Sequence, residues 1–276
     1  MLEVAKPDEI TGAGRRTGPP ILEVSDLGLT YPNGREVLNG VSFQVFPEET
    51  FVILGGSGCG KSTLLNILIG ILQPSHGEVR VIGQDIHRLR PAELKSIHLQ
   101  CGMLFQSGAL IESLSLLENV GLPLRQHYRA VTADILEETA RLKLRMVGLE
   151  DHAGKRPSGI SGGMKKRAAL ARALALDPLL VFADEPTSGL DPVSTHEIDD
   201  LFIRLTRRIG AAAVVVTHDI ASFFRIANRA VLLGGERDGD YQGRVIMQGS
   251  RDDFRASPHP LVQRFLNTGP GAYPLS

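Results

Sequence analysis

Apolar residues fall into short runs punctuated by glycine and proline, with one long stretch of helical spacing in the middle. Residues 21–30 and 37–46 have strand character and are split by the turn Tyr31-Pro32-Asn33-Gly34. Residues 51–54 are a continuous apolar run, as a strand buried on both faces requires. They flow into a glycine-rich loop and then a helical pattern from Lys61. Residues 78–82, 101–105, 179–183 and 213–216 read as further strands, and 231–233 and 245–247 as two more. Residues 116–175 are mostly helical, with breaks expected at Gly121, Pro123, Gly148, Pro157 and Gly159. Residues 193–209 predict an amphipathic helix with Ile198, Leu201, Phe202, Leu205 and Ile209 on one face. Buried strands alternating with helices predict an α/β domain with a largely parallel sheet, into which the helix-rich middle is inserted. Residues 1–20, polar and rich in Gly and Pro, read as a flexible arm.

Composition narrows the function classes. Of 276 residues, 30 are Lys or Arg and 31 are Asp or Glu, a net charge of −1 that argues against a nucleic-acid binder held by a strong positive field. Aromatics are 5% and Trp is absent, which weakens any base-stacking platform. Two cysteines are too few for a disulfide scaffold or a four-thiolate zinc site. The first residues lack the apolar core of a signal peptide, and the longest apolar runs have strand length, not membrane-span length. The expectation is a soluble protein, or one held at a membrane only through a partner.

Residues 55–62 fit the spacing G-x-x-x-x-G-K-[ST], between a strand and a helix. Gly55, Gly56, Gly58 and Gly60, with Ser57 and Cys59 among them, let backbone N–H groups turn inward around phosphate oxygens. The helix that follows, with Thr63 in its first turn, aims its positive end at the same anion. Lys61 then reaches the β- and γ-phosphates, and Ser62 offers a hydroxyl to Mg²⁺. The plain alternative is a glycine turn with a surface lysine, against which the downstream pattern argues. Cys59 reads as a small packing residue, with a redox-sensitive thiol as the sharper alternative.

Residues 179–185 form an apolar strand ending in Asp184 and Glu185. Beside a phosphate loop, Asp184 would face Mg²⁺ through water, and Glu185 would lie where an attacking water sits and take its proton or polarise it. Two solvated acids at a strand end are the alternative. Residues 214–219 are another strand with a polar tip. Tips of parallel strands point at the ligand, so His218 is expected to touch the γ-phosphate or orient Glu185 and its water. The other seven of the 8 histidines show no metal-ligand spacing. Gln106 ends a further strand and offers an amide oxygen to Mg²⁺ or the water. Tyr31 is a turn aromatic that could stack on adenine.

Ser161-Gly162-Gly163 opens a helix, and small residues at a helix N-terminus form a second anion site. One phosphate-loop domain rarely needs two such sites for one nucleotide. A dimer in which this helix faces the ATP of the other copy uses both. Lys165, Lys166 and Arg167 read as a solvated basic face.

At these residues the chain resembles the nucleotide-binding subunits of ABC transporters. The phosphate loop, Phe105-Gln106, Ser161-Gly162-Gly163, Asp184-Glu185, Ser188-Gly189-Leu190-Asp191 and His218 occur in that family's order and spacing, over about residues 21–250. The resemblance implies a P-loop ABC ATPase fold, with a RecA-like core sheet, an N-terminal antiparallel β portion, a helical subdomain at about 107–175, and a helical tail over 251–276. It implies that Tyr31 stacks on adenine, that Gln106 is the Q-loop glutamine, and that Glu185 is the catalytic base. Ser161 and Gly163 would contact the γ-phosphate across the dimer, and Asp191 would be the aspartate that communicates between the copies. The sequence departs from the family pattern in reading ISGGM at 160–164 for the commoner LSGGQ, and in Gly56, a position often held by Pro or another residue.

Residues 103–120 (MLFQSGALIESLSLLENV), 161–173 (SGGMKKRAALARA) and 259–266 (HPLVQRFL) resemble the Mla and Mce lipid-transport ATPases more narrowly. That resemblance implies movement of phospholipid or a related lipid between membranes, from the cytoplasmic face of the inner membrane. It also implies a permease of the MlaE type, an MCE-domain lipid-binding protein, and room for a small STAS-domain partner. Two copies would bind two ATP, with Mg²⁺ held by Ser62, Asp184 and Gln106, and the segment after Gln106 would touch the permease. An importer ATPase for another small solute is the rival on the same engine. DNA-repair and ribosomal ABC ATPases usually carry tandem domains or long coiled-coil insertions, for which the length leaves no room, and a P-loop kinase or GTPase would lack the SGG signature.

Overall fold

A computed structural model of the protein describes residues 18–128, 130–237 and 240–268. The chain runs β1 (Leu22–Thr30), β2 (Glu36–Val45), β3 (Thr50–Gly55), α1 (Lys61–Leu68), β4 (His76–Val81), β5 (Gln84–Asp85), α2 (Pro91–His98) and β6 (Cys101–Leu104). Then come α3 (Leu116–His127), α4 (Ala133–Met146), α5 (Gly162–Ala173), β7 (Leu180–Asp184), α6 (Pro192–Ile209), β8 (Ala212–Val216) and α7 (Ile220–Ile226). The last elements are β9 (Arg229–Arg237), β10 (Asp240–Ser250), α8 (Arg251–Ala256) and α9 (Pro260–Thr268). The described strands form one sheet in the order β5-β4-β1-β2-β10-β9-β3-β8-β7-β6.

The sheet is parallel in the block β9-β3-β8-β7-β6. The rest is antiparallel, apart from a single parallel contact of β10 with β2. The expected parallel core and antiparallel N-terminal portion are therefore both present, in a more evenly mixed sheet than the strand–helix alternation implied. Side-chain alternation explains the continuous apolar runs. Phe51 and Ile53 enter one core, with Leu64, Leu65 and Leu68 of α1; Val52 and Leu54 enter the other, with Leu170 of α5, Leu201 of α6 and Phe223 of α7. Both faces of β3, β7 and β8 are covered, so every position along them is best filled by an apolar side chain.

Several elements differ from the sequence expectation. Gly121 and Pro123 do not break the helix: α3 passes through both. Pro123 lacks the N–H that would reach the Asn119 carbonyl, but the burial of Leu116, Val120 and Leu124 against α4 and α5 outweighs one lost bond. A reciprocal cap between Ser115 and Glu118 starts the same helix. Gly148, by contrast, follows the end of α4 with φ +71°, and Pro157 and Gly159 lie in a 3₁₀ turn. The segment between the short apolar runs at 231–233 and 245–247 is largely strand, with Arg244 opposite Gly234 and Tyr241 opposite Glu236; residues 238–239 lie outside the described residues. Gly243 is required there: a Cβ would stand 2.5 Å from the Cys59 carbonyl oxygen and 2.9 Å from that of Val37. Of the arm expected at 1–20, residues 1–17 lie outside the described residues, as does the end of the tail beyond 268. No helix among the described residues is long and apolar enough to cross a membrane.

A buried carboxyl joins α6 to α7. Asp199, 2% exposed, accepts from Ser222 Oγ at 2.7 Å and from Arg225 Nη1 at 3.0 Å. Burial pushes its pKa from 3.8 up to about 6, although Ser222 and Arg225 pull it down. Between those two values the folded protein holds a proton that the unfolded chain has lost. Stability from this group is therefore present at low pH and falls, by at most about 3 kcal/mol, as pH rises through that window. Urea unfolding of wild type and Asp199→Asn at about pH 4.5 and pH 7 is expected to show the wild type losing stability relative to the variant. Parallel behaviour of the two proteins would contradict it.

Candidate active site

Parallel pairing places four strand ends side by side. Leu104 pairs with Ala183, Asp184 with Val216, and Val216 with Ile53. The residues that follow therefore share one edge of the sheet: Gln106 after β6, Glu185 after β7, His218 after β8 and the glycine loop after β3.

The loop has the backbone of an anion cradle. Gly58 and Gly60 have φ of +80° and +94°, a region that side-chain-bearing residues seldom adopt. Gly60 is the N-cap of α1, which has no side-chain cap, so its first N–H groups are left to a ligand. A Cβ on Gly56 would meet nothing within 4 Å, so glycine at this position is tolerated without being required. Lys61 is buried and folds back over the loop, donating to the carbonyls of Gly55 at 2.8 Å and Gly56 at 2.9 Å. Ser62 is exposed at the start of α1, beside half-buried Thr63, and Ser57 is exposed on the loop. Cys59 is 2% exposed, and burial raises its pKa despite Lys61 nearby. That supports packing over a reactive thiolate.

Across the edge, Glu185 stands with φ +44°, a conformation that costs a non-glycine residue about 1–2 kcal/mol. Its N–H donates to the Val216 carbonyl at 2.9 Å. Its carboxylate meets His218 Nδ1 at 2.5 Å through one oxygen and accepts from Thr217 Oγ1 at 3.4 Å through the other. Glu185 is mostly enclosed while the His218 side chain is 45% exposed, so the imidazole stands between the carboxylate and solvent. Asp184 Oδ1 is buried without a hydrogen-bond partner. Burial raises the Asp184 pKa, Glu185 adds to the rise, and Lys61 and Lys166 oppose it. A buried orphan carboxylate oxygen within the field of the phosphate-loop lysine has the chemistry of a ligand for a hard divalent cation, so these residues fit Mg²⁺.

Tyr31 is 38% exposed in the β1–β2 turn, and Gln106 is exposed. Ser161 caps α5, its Oγ accepting from Met164 N at 3.3 Å, while Gly162 is exposed and a Cβ on Gly163 would meet nothing within 4 Å. Among the described residues neither Ser161 nor Gly163 bonds to the phosphate loop of its own chain. Asp191 caps α6 through Val193 N and Ser194 N, both at 3.0 Å, and its hydrogen bonds from Ser194 lower its pKa. The structure thus gathers Lys61, Asp184, Glu185, His218 and Gln106 at one edge and leaves the signature turn apart from the loop.

Lys166 contradicts the solvated basic face read at 165–167. It is 7% exposed, and its Nζ donates to the Gln106 carbonyl. It also reaches the Glu185 carbonyl at 3.4 Å and Ser188 Oγ at 3.5 Å. Lys165 and Arg167 are partly exposed, Arg167 pairing with Glu197 at 2.7 Å.

Residues 38–188 match the family model described as ABC transporter. The chain is 36% identical over 247 residues to the intermembrane phospholipid transport system ATP-binding protein MlaF of Escherichia coli K12, covering 90% of this chain and 88% of that protein. It is 37% identical over 258 residues to the probable ribonucleotide transport ATP-binding protein mkl of Mycobacterium leprae, covering 94% of this chain and 72% of that one. The dimeric post-hydrolysis structure of the ATP-binding cassette MJ0796 bound to ADP and Pi superposes with a TM-score of 0.72 at 34% identity, over 83% of this chain and 98% of that chain. With the phosphate cradle and the acidic strand tip already in place, these likenesses make the chain a member of the ABC transporter family, an ATP-binding and ATP-hydrolysing subunit of the ABC cassette fold.

Proposed function

We propose that this chain powers lipid transport of the Mla and Mce type, hydrolysing ATP as a pair of copies beneath a partner permease at the cytoplasmic face of the inner membrane. The convergence of Lys61, Asp184, Glu185 and His218 on one glycine cradle carries the catalytic part of this reading. Lys61 exchanges its two loop carbonyls for β- and γ-phosphate oxygens, and the backbone N–H groups of residues 56–63 hold the rest of the phosphate chain. Tyr31 stacks on the adenine. Ser62, Asp184 and Gln106 would hold Mg²⁺, which supplies charge neutralisation of the phosphates when bound. Glu185 polarises the attacking water and accepts its proton, while His218 fixes the carboxylate and faces the γ-phosphate. Ser161, Gly162 and Gly163 contact the ATP of the other copy, and Asp191 lies at the junction of the two.

The lipid cargo rests on the likeness to MlaF and on residues 103–120 and 161–173. By the same likeness an MlaE-type permease, an MCE-domain protein and a small STAS-domain protein are the proposed partners. A second reading, transport of another small solute, is favoured by the equal likeness to the mycobacterial protein named for ribonucleotide transport. A tagged pull-down from detergent-solubilised native membranes, with proteins and lipids identified by mass spectrometry, separates the two. An MCE-domain protein with co-purifying phospholipid is expected. A solute-binding protein with a different permease and no enriched lipid would move the assignment to the second reading.

A further inference from the structure

We propose that Lys166 is a positioning residue for ATP hydrolysis, a single buried ammonium that ties the signature helix α5 to the backbone of both Gln106 and Glu185. The inference rests on the assignment of Glu185 as catalytic base made above.

Lys166 lies one turn into α5, on the same face as the buried Ala169, Leu170 and Ala173. A lysine on that face must satisfy its ammonium internally, because a buried charge without partners is costly. It does so on three groups from two other segments: the Gln106 carbonyl, the Glu185 carbonyl at 3.4 Å and Ser188 Oγ at 3.5 Å. Asp184 and Glu185 add favourable charge, opposing the effect of burial on the ammonium. Arg172, further along α5, donates to the carbonyls of Gly108 at 2.8 Å and Ala109 at 2.7 Å. Arg172 thus holds the 106–109 segment alone, whereas Lys166 joins that segment to the end of β7.

The bond to Glu185 falls where it has most consequence. Glu185 sits at φ +44°, a strained backbone that persists only when its surroundings fix it. Its N–H is held by Val216, its carboxylate by His218 and Thr217, and its carbonyl by Ser188 N at 3.1 Å and by Lys166 Nζ at 3.4 Å. Lys166 is the only one of these from the helix that begins at Ser161. Movement of α5, driven when the signature turn meets the ATP of the other copy, therefore reaches the carboxylate of its own site through this ammonium. A shift of about 1 Å in a catalytic group is enough to cost on the order of 100-fold in rate.

The test compares the full-length wild type with Lys166→Met, Lys166→Gln and Lys166→Arg, measuring ATPase kcat and KM, Kd for a fluorescent ATP analogue, and Tm. Lys166→Met is expected to lower kcat at least about 10-fold while Kd stays within about threefold. Lys166→Gln should be intermediate, and Lys166→Arg, which restores a charged donor, should recover most of kcat. If Lys166→Met does not melt cooperatively, Lys166→Gln decides, its expected result being a lowered kcat at unchanged Kd. A Met variant with kcat within twofold of wild type would overturn the proposal. So would parallel loss of kcat and Kd with no rescue by Arg, the mark of a merely structural lysine. A wild type that binds ATP but hydrolyses none would instead defeat the assignment of Glu185, and this proposal with it.

Discussion

Glu185→Gln is expected to bind ATP within about twofold of wild type and to lose turnover by on the order of 10²–10⁴-fold. The amide keeps the shape of the side chain and its contact with Thr217, so the cradle and its charge from Lys61 are untouched. What disappears is a basic oxygen able to take a proton from water, and the charge that holds His218 at 2.5 Å. Because binding survives while hydrolysis stops, the variant should also accumulate as an ATP-dependent dimer in size-exclusion chromatography. Hydrolysis at the wild-type rate would show that the base lies elsewhere.

Lys61→Ala is expected to weaken ATP binding by about 10- to 100-fold, the worth of losing a charged hydrogen-bond donor to phosphate. In the structure the same Nζ bridges the Gly55 and Gly56 carbonyls. The substitution therefore also loosens the first turn of the loop, and some of the loss should appear as a slower association rate. Isothermal titration with ATP tests the affinity, and a thermal melt checks that the fold survives. Unchanged affinity would refute the loop assignment. Together the two variants divide the site, one removing binding and the other removing chemistry.

The phosphate loop was legible from sequence because its function is local. Glycine spacing dictates which residues adopt positive φ, and a strand before and a helix after point the N–H groups at one place. Asp184, Glu185 and His218 were legible for a related reason: they end apolar strands, and parallel strands bring their ends to one edge. Helix α6 followed from its apolar period, with Ile198, Leu201, Phe202 and Leu205 all buried. Lys166 was misread because three consecutive basic residues look solvated, although its three- and four-residue spacing to Ala169 and Leu170 carried the signal of an inward face.

Sequence alone therefore determined the local geometry held in short segments, since a glycine cradle, an acidic strand tip and a capped signature turn depend on neighbours a few residues away. Tertiary structure alone decided the rest. It kept α3 continuous through Pro123 by packing, paired β9 with β10 beyond their apolar centres, and set Gly243 against Cys59. It also carried one ammonium from position 166 to carbonyls 60 and 19 residues away. Those outcomes turn on which distant groups are buried together, a free energy summed over the folded chain that no local pattern contains.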